Sequence, residues 1–207
     1  MWRQGSLSRT KNKVMVRNYT DKELLDRVKS LKTYKTLPSN RWILGVRSKA
    51  DIPNEFDDKF YIFEGEKFID VLTGTTHPGL TILKNFYKFN NVGAAVVESD
   101  KWYHDLWVYG MHKGKIPALL QLGNKISVYR DGDKDDKSEE LGSSIDGFYG
   151  INFHLNNHNF DSKLTKKMIN GWSAGCQVLN ETLKYVKQMQ YFEHCNHKVT
   201  YCLIKEF

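Results

Sequence analysis

The segment "GWSAGCQVL" (171–179) sets Cys176 directly after Gly175, and His154 stands 22 residues upstream at the end of the strand-like run "GFYGINFH". Thiol catalysis needs an exposed thiolate, an imidazole that takes its proton, and backbone N–H groups facing the oxyanion. Ala174 and Gly175 allow a sharp turn that aims several N–H groups at one point beside the sulfur. A helix starting near Asn180 would bring its positive end close by. The lysine-rich stretch "DSKLTKKMING" reads as a surface loop that lets His154 and Cys176 meet, and a thiol activated there would have a depressed pKa. Residue types alone leave a second reading open: a small thiol packed beside a turn, and a histidine satisfied by hydrogen bonds at a strand end.

Other groups have suitable types in weaker patterns. His112 in "YGMHKGK" and His104 in "WYHDL" flank a strand-like run, where each either lines a cleft beside Trp102 or Trp107 or is half-buried surface. Trp172 either walls a cleft beside the cysteine turn or anchors packing. "RDGDKDDKSEE" spaces Asp131, Asp133 and Asp135 like the start of a calcium loop. Its sixth and twelfth positions hold Asp136 and Gly142 instead of glycine and a carboxylate, so a solvated acidic turn is expected. His194, Cys195, His197 and Cys202 are zinc-ligand types at a spacing that fits no standard finger, with Cys202 inside an apparent strand. A turn before the last strand is expected there, and no metal or cofactor is called for.

These groups need a frame. "TDKELLDRVKSL" opens with Thr20 and Glu23 in capping-box spacing and carries Leu24, Leu25, Val28 and Leu31 on one face, a short amphipathic helix. "NRWILGVR" reads as the first buried strand and "KFYIFEGEKFIDVLTG" as a hairpin around Glu64–Gly65–Glu66. "VGAAVVE", "WYHDLWVYG", "KISVYR" and "GFYGINFH" read as further strands, and "KVTYCLIK" as the closing one. "NETLKYVKQMQYF" predicts a helix capped by Asn180, with Leu183, Val186 and Met189 or Gln190 along one side. No internal repeat and no Gly/Ser-rich or Pro-rich linker divides the chain. The expected architecture is α+β, mostly β: a basic N-terminal arm with a short helix over residues 1–38, then one β-rich domain with a few helices over residues 39–207.

The 207 residues suffice for one sizeable core, and no apolar run approaches a membrane span. The first twenty residues lack the apolar core and cleavage site of a secretory signal, so Sec export is not expected. The net charge of +7 is uneven: residues 1–49 hold 13 Lys/Arg against 3 Asp/Glu, or +10, and the remainder holds 18 against 21, or −3. Such a front suits an anionic partner, whether nucleic acid, a wall polymer or an acidic protein, although a solvated face explains it as simply. No phosphate-cradling glycine loop or nucleic-acid motif accompanies it, so nucleic acid is not the expected partner. Three cysteines, an odd number, argue against a disulfide framework.

Taken together, "GINFH", a loop, "WSAGCQVL" and a helix resemble the signature of the L,D-transpeptidase catalytic domain. That family has a His, a slightly shorter loop, then Ser/Thr-His-Gly-Cys followed by Arg or Asn, an apolar residue and a helix. The hairpin end "VLTGTTHPG" is similar to the family's "TG…TP.G" segment, and the form carrying "SAGCQ" is most similar to divergent members encoded by bacteriophages. The resemblance covers roughly residues 40–190. It implies an L,D-transpeptidase-like β-rich fold acting on peptidoglycan stem peptides, with Cys176 as nucleophile and His154 as general base. The thiolate would attack the carbonyl after a diamino acid, at the L-to-D bond, and form a thioester. An amine would resolve it to a cross-link, and water to a hydrolysed product. The resemblance further implies an oxyanion hole from the Gly175 and Cys176 N–H groups, each donor worth about 3 kcal/mol by analogy with other acyl-transfer sites. The carbonyl of Leu155 would hold the His154 tautomer, and His77, Ser173, Trp172, Gln177 and His112 would surround the substrate. The chain departs from the pattern at Ala174, which stands for the family's second His, at Gln177, which stands for a cation, and at Leu155, which stands for a small residue.

Without an export signal, such an enzyme would reach the wall through a lysis pore or inside a virion, which favours wall cleavage by an L,D-peptidase. It would reside in the cytoplasm of an infected bacterium before lysis, or with the virion. Its expected partners are peptidoglycan stem peptides, with virion proteins as a further class. The alternative is a non-catalytic virion or wall-binding protein that keeps the fold.

Overall fold

The computed structural model describes residues 15–160, 165–195 and 197–207. Much of the basic front, residues 1–14, and part of the lysine-rich loop, residues 161–164, lie outside the described residues.

The β-prone runs form β1 (Arg41–Arg47), β2 (Asp58–Glu64), β3 (Lys67–Thr75), β4 (Ala94–Val97), β5 (Lys101–His112), β6 (Ile116–Leu120), β7 (Ile126–Asp131), β8 (Ile145–Gly147), β9 (Phe153–Leu155), β10 (Gln177–Leu179) and β11 (Val199–Lys205). Eight of them close a barrel in the order β1-β11-β5-β6-β9-β10-β3-β2, while β4-β7-β8 make a separate three-stranded sheet. Closure leaves the barrel without exposed sheet edges. Within the barrel β1 pairs β11 and β10 pairs β9 in parallel, and the other neighbours are antiparallel.

The apolar run of β1 is continuous because both faces are covered. Ile43 joins Tyr201, Leu203, Phe60 and Trp107 in the main core. Trp42, Leu44 and Val46 face the other way, under Leu24, Leu25 and Val28 of helix α1 (Asp21–Lys29). The capping box forms as expected: Thr20 Oγ1 accepts from the Glu23 N–H, and the Glu23 carboxylate accepts from the Thr20 N–H at 2.7 Å. Trp102 Nε1 donates to the Val28 carbonyl (2.8 Å), and Arg27 pairs with Asp100, so α1 is bonded to the barrel as well as packed on it. The hairpin turn of β2 and β3 places Gly65 at φ +59°, a conformation that favours glycine.

Three local expectations are corrected, and three short elements, β6, β10 and a helix, are added to the expected set. "GFYGINFH" is two strands, because Gly150 turns at φ +69°: β8 joins the small sheet and β9 the barrel. Strand β6 contains Pro117, which lacks an N–H and reads as a breaker, although its carbonyl accepts from Tyr185 Oη at 2.5 Å. Helix α2 (Leu80–Asn85) and strand β10 are too short to show a period in sequence. Helix α3 (Thr182–Cys195) begins after Glu181, so Asn180 is not its cap; Asn180 is buried, and its Oδ1 has no partner. The buried side of α3 runs through Tyr185, Met189 and Phe192, leaving Leu183 62% exposed. The aromatic rings set that phase, and Gln188 is tolerated beneath because Arg41 and Asp70 bond its amide.

This phase predicts opposite outcomes for two neighbouring apolar residues. Met189→Ala should cost roughly 2–5 kcal/mol in urea unfolding, whereas Leu183→Ala should stay within about 0.5 kcal/mol.

Candidate active site

The short parallel pairing of β9 and β10 builds the site. Gln177 lies opposite Phe153 and Val178 opposite His154, with the Gln177 N–H donating to the Asn152 carbonyl at 2.8 Å. Side chains alternate along a strand, so Asn152 and His154 share one face with Cys176 and Val178. Phe153, Leu155 and Leu179 point the other way, into the main core. Half-buried Cys176 therefore lies one step along the same face from the register partner of His154.

His154 is almost fully buried, and its Nδ1–H donates to the Leu155 carbonyl at 3.0 Å, leaving Nε2 buried and unpartnered. This is the carbonyl contact that the resemblance implies. His112 stacks on the ring with centroids 4.3 Å apart and planes 11° off parallel. Burial is the largest influence on the His154 imidazole and lowers its pKa to about 4, with His112, Lys113 and His158 adding to the shift.

Asn152 connects the two halves. Its N–H donates to Cys176 Sγ at 3.4 Å, and its Nδ2 lies 3.0 Å from His112 Nδ1, a donor facing an acceptor. Gln121 N–H donates to Asn152 Oδ1 and fixes the orientation of the amide. Asn152 escaped the sequence reading, though it stands two residues before His154, the spacing that puts two strand residues on one face. Cys176 Sγ donates in turn to the Gly150 carbonyl. Burial pushes the Cys176 thiol up, outweighing the Asn152 N–H and Lys113, which pull it down. The depressed thiol expected for an activated cysteine is thus corrected: at rest the pair is a neutral thiol and a neutral imidazole.

The turn before Cys176 is held by Ser173. Fully buried, its Oγ donates to the Cys176 carbonyl at 2.8 Å and accepts from the Gly175 N–H at 3.2 Å. Ser173 is therefore a turn support instead of a substrate contact, and the Gly175 N–H is already occupied. Of the three successive N–H groups at 175, 176 and 177, that of Cys176 alone is unengaged among the described residues. Gly175 itself takes φ +130°, and a Cβ there would lie 2.8 Å from the Ala95 Cβ and carbonyl, so glycine is required.

The remaining residues divide between the site and elsewhere. Trp172 and Cys176 both pack on the small cluster of Phe56, Ile169 and Val178, and the Trp172 ring has the Lys166 Nζ 4.1 Å above it and His158 against it. Gln177 is wholly buried on the inward side, its Oε1 accepting from Tyr201 Oη (2.7 Å) and its Nε2 donating to the Gly175 carbonyl, so it cannot reach substrate. His77 lines another cavity, of about 310 Å³, with Arg47, Asp51, Ser138 and Glu140. Its Nε2 is 3.5 Å from Asp51, and burial with the charges of Arg47 and Lys205 holds it well below its ordinary pKa. Beside it, Asp58 accepts from the Ser48 and Thr76 N–H groups, and burial next to Asp58 pushes Asp57 up to about 7. His104 stacks on Trp102 and faces Thr33, away from Cys176.

The zinc-type residues do not assemble: Cys202 is buried under α1, and Cys195 is exposed. Asp133, Asp135 and Glu139 are the one cluster of metal-ligand types among the described residues, and it lies on an acidic loop. No helix among the described residues is long and apolar enough to cross a membrane.

Two outcomes follow from burial. Alkylation by iodoacetamide at pH 7 should be slower at Cys176 than at exposed Cys195, as read from modified peptides by mass. The His154 Cε1–H resonance should titrate near pH 4, and His112→Ala, which strips one cover from the ring, should move that midpoint upward.

Comparison of the chain with protein-family models, with curated proteins and with solved structures found no match.

Proposed function

We propose that the barrel is an L,D-transpeptidase-like catalytic domain that performs cysteine-dependent acyl transfer on peptidoglycan stem peptides, with water as the main acceptor. The observation that carries this reading is the shared face of β9 and β10, which carries Cys176 together with His154, whose Nδ1 is bonded to a carbonyl and whose Nε2 has no partner. That is the arrangement a general base needs. His154 Nε2 takes the thiol proton as Cys176 Sγ adds to the carbonyl carbon. The resulting oxyanion is received by the Cys176 N–H, and the imidazolium then returns the proton to the departing amine. Water, deprotonated by the same nitrogen, cleaves the thioester. Asn152 steadies the developing thiolate through its N–H. Release at lysis or carriage in a virion would bring the enzyme to the wall.

A second reading, a non-catalytic wall-binding or virion protein, is favoured by two observations: the raised thiol and the occupied Gly175 N–H. Incubating purified protein with muropeptides and reading products by mass separates the two. New products are expected from the wild type and none from Cys176→Ala, with His154→Ala about 10²–10⁴-fold slower. Identical product sets from wild type and Cys176→Ala would end the enzymatic reading. The free base is the active form of His154, so activity should be lost as pH falls through the folded value of about 4, instead of the ordinary 6.5. The acid limb of kcat/KM checks this.

A further inference from the structure

A cavity of about 280 Å³ opens beside the cysteine turn, with Ala174 in one wall and Arg130, Phe86, Gly93, Ala95 and Tyr149 in the others. Its position is set by pairing. Ala95 of β4 lies opposite Arg130 of β7, so the two side chains share a sheet face, about 4.8 Å apart across the strands. The same Ala95 meets the backbone of Gly175. Arg130 thus stands one strand from the residue on which the turn is docked, and Ala174, which borders the cavity, is at most about 7.6 Å from Cys176 along the chain.

The guanidinium there is unusual within this molecule. Arg17, Arg27, Arg41 and Arg47 each pair with a carboxylate. Arg130 is the one described arginine that does not: it lies 4.8 Å over the Tyr149 ring and makes one long bond, 3.4 Å, to the Gly93 carbonyl. A planar cation held over an aromatic face, half-buried and without an anion, can receive a bidentate carboxylate. The apolar wall from Phe86 suits a short aliphatic residue next to it.

Resting on the proposed acyl transfer at Cys176, we infer that Arg130 binds the terminal carboxylate of the acyl-donor peptide, one residue beyond the bond attacked. The site then selects donors that end in a free carboxylate, and Arg130 supplies the anchoring charge that Gln177, turned inward, does not.

The test uses two tetrapeptides, L-Ala-γ-D-Glu-meso-diaminopimelate-D-Ala with a free terminal carboxylate and its terminal carboxamide. The wild type should process the free acid at least about 10-fold faster in kcat/KM, and Arg130→Gln should erase that preference. Equal rates on the two peptides in the wild type, or a preference that survives in Arg130→Gln, would overturn the inference and leave the Cys176 reading standing. Titration of each peptide into Cys176→Ala, and into Cys176→Ala with Arg130→Gln, followed by calorimetry, separates binding from turnover. If the wild type processes neither peptide but the free acid binds only when Arg130 is present, the subsite holds and the acyl-transfer reading fails. If neither peptide is processed or bound, both are overturned.

Discussion

Three residues of parallel pairing between β9 and β10 are what the rest of the molecule serves. The register that sets Val178 beside His154 also sets the Asn152 N–H on the Cys176 sulfur and sends Gln177 inward to Tyr201. A slip of one residue would exchange the faces, burying the thiol and exposing the amide. So short a ladder cannot hold its own register. The barrel does so from both sides, with β6 against β9 and β3 against β10. The small sheet adds a stop where Ala95 abuts Gly175.

Burial sets the electrostatic character of the site. A thiolate–imidazolium pair would need two charges stabilised at a place where one ring is almost wholly enclosed and Lys113 is the cation that acts on the thiol. Desolvation outweighs what the Asn152 N–H and Lys113 return, so the neutral pair is the ground state. Charge then develops only when a carbonyl is in place to share it, which limits side reactions of the sulfur in the free protein.

The elements with a strong local pattern were legible in the sequence. The Thr20–Glu23 box, the β2–β3 hairpin and the double-faced run of β1 carry their own signals. The Cys176 turn was also legible, because a small-residue turn is a local feature, whereas His154, read at a strand end, is the middle residue of β9. What could not be read depends on register between distant segments. Asn152 became meaningful only once β9 was known to start at Phe153, and Arg130 only once β7 was paired with β4. Gln177 was misplaced because a three-residue strand shows no alternation, and α3 was misphased because its aromatic side outweighs Leu183 and Val186. His77 follows a turn close to Ser173, since the Gly79 N–H donates to the Ser173 carbonyl, but its ring turns towards Asp51.

Among the buried titratable groups, His154 and Asp57 act in opposite senses on acidification. His154, neutral in the fold and ordinarily titrating at 6.5, loses its contribution to stability as pH drops from 6.5 towards about 4. Asp57, held protonated up to about 7 against an ordinary 3.8, relieves its burial cost over nearly the same interval. One centre withdraws free energy while the other returns it. Between neutrality and mild acid these two groups therefore contribute slopes of opposite sign to the pH dependence of stability.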